Sequence, residues 1–380
     1  MTVRIVVVPG PGLDGPQCVR WGAELGLDVE VRPGDPAAVL GALAGPGGLG
    51  GVVIAPGPEG FDASGLASAI GAAVVPVVAI EPGNLRKSGI DPESTRLVAA
   101  GAWVLYGRGE DTARHALRYL ARRHGHSPDT LAYGPEPSQE GDLWLPDGAG
   151  PHPVAVLFHG GFWYHAWERD LMDGLALDLA GRGIAAWNVE YRRVGAGGGW
   201  PATGGDAARA VDHLVALAPI YDLDLGRVAF LGHSAGGQLA LWVAARGRRG
   251  TVHPLLVVGL ATITDLEEAR DSRIGGGSVA RLLGAGPNAG DDGDLEDALV
   301  EASPRARLPI GVPQLLAHAV DDDVVPPAQT TTYAAAARDA GDDVTVLDIE
   351  AGGHFALIDP RTPAWKTVAC AVQERLGAIQ

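Results

Sequence analysis

Cysteine is scarce: Cys18 and Cys370 are the only two in 380 residues. They are too few and too far apart for a disulfide framework or a cysteine-based zinc site, and they imply a reducing, cytoplasmic setting. Long apolar runs are missing as well. The opening MTVRIVVVPGPG is unbroken in its apolar character only from Ile5 to Val8, too short for a signal peptide. No stretch reaches the roughly 20 apolar residues of a membrane span, so no membrane partner is expected. Basic charge is also short. The net charge of −17 argues against nucleic acid, which requires a basic face.

What is present fits a globular chain long enough for two domains, with 46% hydrophobic residues. The acidity is uneven. Residues 1–127 carry 11 Lys+Arg against 12 Asp+Glu, and the remainder 18 against 34. The ordinary reading of that excess is a solvated acidic surface.

The most informative stretch is RVAFLGHSAGGQLALWVAAR, from Arg227 to Arg246. Val228 to Leu231 reads as a doubly buried strand and Gln238 to Arg246 as a helix. Between them stands Gly232-His233-Ser234-Ala235-Gly236, the G-x-S-x-G pattern of a nucleophile elbow. In a chain with 56 glycines the pentapeptide alone is weak, and the strand and helix around it are the context it requires.

The first half alternates strand and helix. Strands are expected at 4–8, 28–32, 51–54, 75–80 and 102–106, and helices at 16–25, 36–43, 63–72, 93–100 and 112–124. This order predicts an α/β, doubly wound parallel sheet of flavodoxin-like type. The segments RIVVVPGPGLDGP, AELGLDVEVRPGDPAAVLGAL, GVVIAPGPEGFDASGLASAI, PVVAIEPGN and AAGAWVLYGRGEDTARHAL resemble type II 3-dehydroquinate dehydratase. The likeness fails at that family's chemistry. Pro9, Gly10, Pro11 and Gly12 stand at its opening Asn-Gly-Pro-Asn, and no tyrosine precedes Tyr106. Its catalytic histidine falls on Glu81 and the nearby glutamate on Ala79; Asn84 and Pro56-Gly57 remain. The missing base and acid make 1–127 a catalytically silent domain, with Glu81 either a ligand contact or purely architectural, and the resemblance implies that the domain holds a homo-oligomer together.

A turn-rich boundary at His124 to Asp129 opens the second half, 128–380. A hairpin is expected from 131–133 and 141–145, then strands at 154–158, 184–191, 255–261, 314–317 and 344–349. Helices are expected at 171–181, 204–217 with Thr203 as its cap, 328–340 and 365–376. His159-Gly160-Gly161-Phe162-Trp163 follows the first buried strand, where backbone amides can stabilise an oxyanion. Gly161, Phe162 and Ala235 are the candidate donors. Asp321-Asp322-Asp323 precedes Val325-Pro326, and any of the three acids can orient a histidine. Gly352-Gly353-His354 follows the last strand; His318 is the rival base. Residues 263–307 read as a cap or a surface insertion.

The order Ser234, acid, His354 and the HGGxW and GHSAGG segments resemble the α/β-hydrolase superfamily, nearest its carboxylesterase and arylformamidase group. In related hydrolases the acid lies four residues before the proline, which selects Asp322. The resemblance implies a serine hydrolase acting on a small-molecule ester or amide, without metal or organic cofactor. Acyl transfer or peptide cleavage by the same triad, and a lyase in the first half, are the alternatives.

Overall fold

The computed structural model describes residues 3–9, 13–43, 49–55, 66, 68–70, 73, 76–81, 103–106, 112–247, 250–284 and 292–377. Contacts divide the chain into two compact units, Met1–Ser127 and Pro128–Gln380.

In the first unit five strands pair in parallel: β1 (Arg4–Val8), β2 (Asp28–Val31), β3 (Leu49–Ile54), β4 (Val77–Glu81) and β5 (Trp103–Tyr106). Their order is β2-β1-β3-β4-β5, so the sheet reverses its direction of growth after β2. Alternate residues of β1 enter opposite cores. Ile5 and Val7 pack with Cys18 of α1 (Gly15–Glu24) and with Leu117 and Leu120 of α3 (Thr112–Arg123). Val6 and Val8 pack with Leu66, Ile70 and Leu40, the last from α2 (Pro36–Ala42). A parallel sheet buried on both faces explains why its strands read as continuous apolar runs. Asp14 and Asp35 cap α1 and α2 by accepting from the amides of Gln17 and Ala38. The expected helix at 63–72 is described only at 66 and 68–70. The helix expected at 93–100, together with Gly10 to Gly12, Pro56-Gly57 and Asn84, lies outside the described residues. Glu81 ends β4 opposite Tyr106; its side chain also lies outside them.

The second unit holds an eight-stranded mixed sheet. Its strands are β6 (Asp129–Ala132), β7 (Glu140–Trp144), β8 (His152–Phe158), β9 (Ala185–Val189), β10 (Leu223–His233), β11 (Leu256–Leu260), β12 (Gln314–Ala319) and β13 (Val344–Ile349). The order is β13-β12-β11-β10-β8-β9-β7-β6. β6 and β7 form the antiparallel entering hairpin, β7 lies antiparallel to β9, and the remaining pairs are parallel. The covering helices are α4 (Asp173–Gly181), α5 (Ala202–Asp212), α6 (Leu214–Tyr221), α7 (Ala235–Ala244), α11 (Ala328–Asp339) and α12 (Pro363–Leu376). Between β11 and β12 come α8 (Leu266–Asp271), α9 (Ser278–Leu282) and α10 (Asp292–Ala302), within the segment expected to be a cap.

Two expectations change here. The helix after β9 is two helices meeting at His213, and it begins at Ala202. Thr203 is therefore not its cap. The residue is buried in the first turn, donating its hydroxyl to the Arg192 carbonyl and accepting from the Gly199 amide. The tertiary fold brings those two backbone groups to it, and satisfying a buried pair outweighs the local capping preference.

Candidate active site

β10 ends at His233 and α7 begins at Ala235, so Ser234 alone makes the turn. Its φ of 54° lies in the left-handed region, which non-glycine residues rarely occupy. The flanking glycines make the turn sterically possible. A Cβ on Gly232 would fall 2.1 Å from the Gly236 carbonyl oxygen, and one on Gly236 would fall 2.1 Å from that of Phe158. The Ser234 amide donates to the Leu260 carbonyl at 2.8 Å, anchoring the turn to the neighbouring strand.

The loop after β8 packs directly over this turn. Gly161 has φ +107°, and Phe162 and Trp163 follow with φ 54° and 57°. Trp163 Nε1 donates to Gln238 of α7, and Gln238 donates onward to the Ala302 carbonyl. The amides of Gly161, Phe162 and Ala235 have no acceptor among the described residues, which leaves them available to a ligand oxygen. Gly275, beyond α8, lies against the Phe162 ring, where an added Cβ would come within 2.5 Å.

His354 Nδ1 lies 2.7 Å from Asp322 Oδ2, and both residues are buried. Burial by itself would raise the Asp322 carboxyl. The neighbouring His318 ring, the bond and charge of His354 and the Val325 amide instead hold it far below the usual carboxylate range. Asp321 faces elsewhere, accepting from the amides of Gly352 and Gly353, and Asp323 is exposed. Ser234, His354, Gly161, Phe162, Trp167, Leu171, Val324 and Phe355 line one cleft, together with His233; its volume is about 40 Å³.

The chain thus brings Ser234, His354, Asp322, Gly161 and Phe162 into one region, and Ala235 follows the serine directly. His318, the rival base, is bonded instead to Thr330 and Val325, with Nε2 3.2 Å from Asp322.

A buried ionic cluster behind the Gly160-Gly161 loop has no motif to announce it. His159 Nε2 lies 3.0 Å from Glu190, whose carboxylate also accepts the amides of Arg169 and Tyr191 and faces Arg193 at 3.3 Å. Burial would raise the Glu190 carboxyl, but the charges of Arg193 and His159 and the bond from His159 lower it to about 2. The one local signal was Glu190-Tyr191-Arg192-Arg193, a charged run directly after an apolar strand.

The family model described as BD-FAE matches residues 142–336, just over half of the chain. The chain belongs to the BD-FAE family. The BD-FAE match contains Ser234, Asp322 and the Gly160-Gly161 loop, and it ends before His354. A comparison with curated protein sequences finds no match.

Among solved structures, the truncated form of a carbohydrate esterase from gut microbiota is 20% identical, with a TM-score of 0.57 over 65% of this chain and 95% of that one. A bacterial heroin esterase is 23% identical, with a TM-score of 0.55 over 67% of this chain and 86% of that one. A bifunctional GH43-CE protein of Bacteroides eggerthii is 20% identical, with a TM-score of 0.55 over 65% of this chain; the chain spans 35% of its length. At such identities the likeness establishes a shared α/β-hydrolase-type fold. No helix among the described residues is long and apolar enough to cross a membrane.

Proposed function

We propose that the second unit is a serine esterase cleaving a small-molecule ester through an acyl-enzyme. Ser234 is the nucleophile, His354 the general base and then acid, and Asp322 the group that orients and charge-stabilises the imidazole. One observation carries the reading: a serine strained at φ 54° shares a cleft wall with a histidine held 2.7 Å from a buried carboxylate.

Ser234 Oγ attacks the carbonyl carbon and passes its proton to His354. The oxyanion accepts from the amides of Gly161, Phe162 and Ala235. His354 returns the proton to the leaving oxygen, and water resolves the acyl-enzyme by the same relay. The names of the structurally similar esterases favour an ester over an amide. An amine or alcohol in place of water would make the reaction acyl transfer, which product analysis with an added nucleophile distinguishes.

The test is hydrolysis of aryl acetates by the full chain and by Ser234→Ala, with labelling by a serine-directed phosphonate. We expect labelling at Ser234 alone and a loss of about 10⁴-fold or more in the alanine variant. Labelling elsewhere, or near-full activity without the hydroxyl, overturns the reading.

For the first unit we infer a flavodoxin-like domain of the dehydroquinate dehydratase type, catalytically silent and serving to assemble a homo-oligomer. Its all-parallel β2-β1-β3-β4-β5 order supports the fold. The residues standing at that family's catalytic positions support its silence.

A further inference from the structure

Oδ2 of Asp322 faces two histidines. His354 Nδ1 approaches it at 2.7 Å and His318 Nε2 at 3.2 Å. His318 sits near the end of β12 with 2% of its surface exposed. The partners of its ring assign the tautomer. Nε2 is 2.9 Å from the Val325 carbonyl oxygen, which can only accept, so Nε2 carries a proton. Nδ1 is 2.7 Å from the Thr330 hydroxyl, which makes no other described side-chain bond and donates to the ring. The Nε2 proton is directed to the Val325 carbonyl, and Asp322 Oδ2 lies 3.2 Å from the same nitrogen.

The orientation of Asp322 does not depend on this bond. Its other oxygen, Oδ1, accepts the amides of Val324 and Val325, both at 2.9 Å, and these fix the carboxylate. What His318 adds is the positive edge of a second ring, its Nε2 3.2 Å from the oxygen that His354 uses.

We propose that His318 is a positioning residue of the triad: by holding its polar Nε2–H edge 3.2 Å from Asp322 Oδ2 it offsets the negative charge facing His354 and keeps that imidazole a free base to lower pH. The proposal rests on the triad reading above. A polar N–H edge beside a carboxylate stabilises its charge, so the carboxylate stabilises a neighbouring imidazolium less. Three further titratable groups lie around the cluster. His233 donates from Nε2 to the His354 carbonyl at 3.0 Å, and burial keeps it uncharged, well below the usual histidine range. Asp321 is turned to the amides of Gly352 and Gly353, and Asp323 is exposed. None of the three donates to Asp322.

The experiment compares His318→Gln, His318→Asn and His318→Leu with wild type, measuring kcat/KM for an aryl acetate against pH. NMR titration of the His354 imidazole reads the same equilibrium without turnover. Glutamine places an amide nitrogen close to the position of Nε2 and still donates. Asparagine stops short of Asp322, and leucine donates nothing. We expect the glutamine variant to keep the wild-type acid limb. In the asparagine and leucine variants it moves to higher pH by about 0.5–1 unit, with the plateau rate within about tenfold of wild type. If the leucine variant does not fold, the asparagine variant carries the comparison. An acid limb and an imidazole titration that stay in place, with only the plateau or the melting temperature lowered, overturn the role of His318 and leave the triad intact. A wild type with no hydrolysis and no labelled Ser234 overturns the triad reading itself.

Discussion

The carboxylate of Asp321 accepts the backbone amide of Gly353 at 2.9 Å. With a second bond from the Gly352 amide, it pins the loop that delivers His354. The neighbouring carboxylates thus divide the work: Asp321 holds the backbone of the loop, and Asp322 faces the imidazole.

That division predicts unequal costs. Asp322→Asn is expected to lower kcat for an aryl ester by about 10⁴-fold, as loss of a triad acid does elsewhere. Asp321→Asn keeps an accepting oxygen and should stay within about tenfold of wild type in steady-state assays; Asp323→Asn should have no effect. A larger loss at Asp321 than at Asp322 would move the acid to the other residue.

The glycines of the elbow are predicted to be irreplaceable for a steric reason. Gly236→Ala drives a Cβ to 2.1 Å from one backbone oxygen and 2.4 Å from another, those of Phe158 and His159. Backbone atoms cannot rotate away as a side chain can. Overpacking on this scale costs about 3 kcal/mol and lowers Tm by roughly 6–12 °C in thermal unfolding of the full chain. An unchanged Tm would mean that the loop after β8 yields readily.

Glu190 gives a pH dependence with a definite sign. Its carboxyl falls from 4.5 to about 2 in the folded state. A depressed carboxyl stabilises the fold fully above its unfolded value, and that stabilisation is lost as pH falls through the folded value. Wild type should therefore lose urea resistance as pH falls from about 4.5 to about 2. Glu190→Gln, less stable at neutral pH, should show a flatter profile in that window. Parallel profiles for the two proteins would remove Glu190 from the account.

Light scattering tests the role of the first unit. Full length and residues 1–127 should share one oligomer number, and 128–380 should be a smaller species that still hydrolyses an aryl ester. A near-neutral first half repels copies of itself less than the acidic second half does. A monomeric 1–127, or an oligomer that persists in 128–380, would place the contacts elsewhere. Incubation of the full chain with 3-dehydroquinate should give no product.

Local chemistry alone made several features legible. Periods of apolar residues broken by glycine and proline mark most strands and helices to within a few residues, because burial on both faces imposes its pattern directly on the chain. The elbow reads locally because Gly232, Ser234 and Gly236 constrain one another within five residues. Other features depend on contacts between distant residues. His354 reaches Asp322 across 32 positions and His318 lies beside the same oxygen, a meeting set by the adjacency of β12 and β13. Glu190 gathers His159 and Arg169 because β8 and β9 run side by side, and the Thr203 hydroxyl goes to Arg192 instead of capping its helix. Sequence spacing states which side chains can donate or accept. Only the sheet, by fixing which strand ends lie together, decides which of them meet.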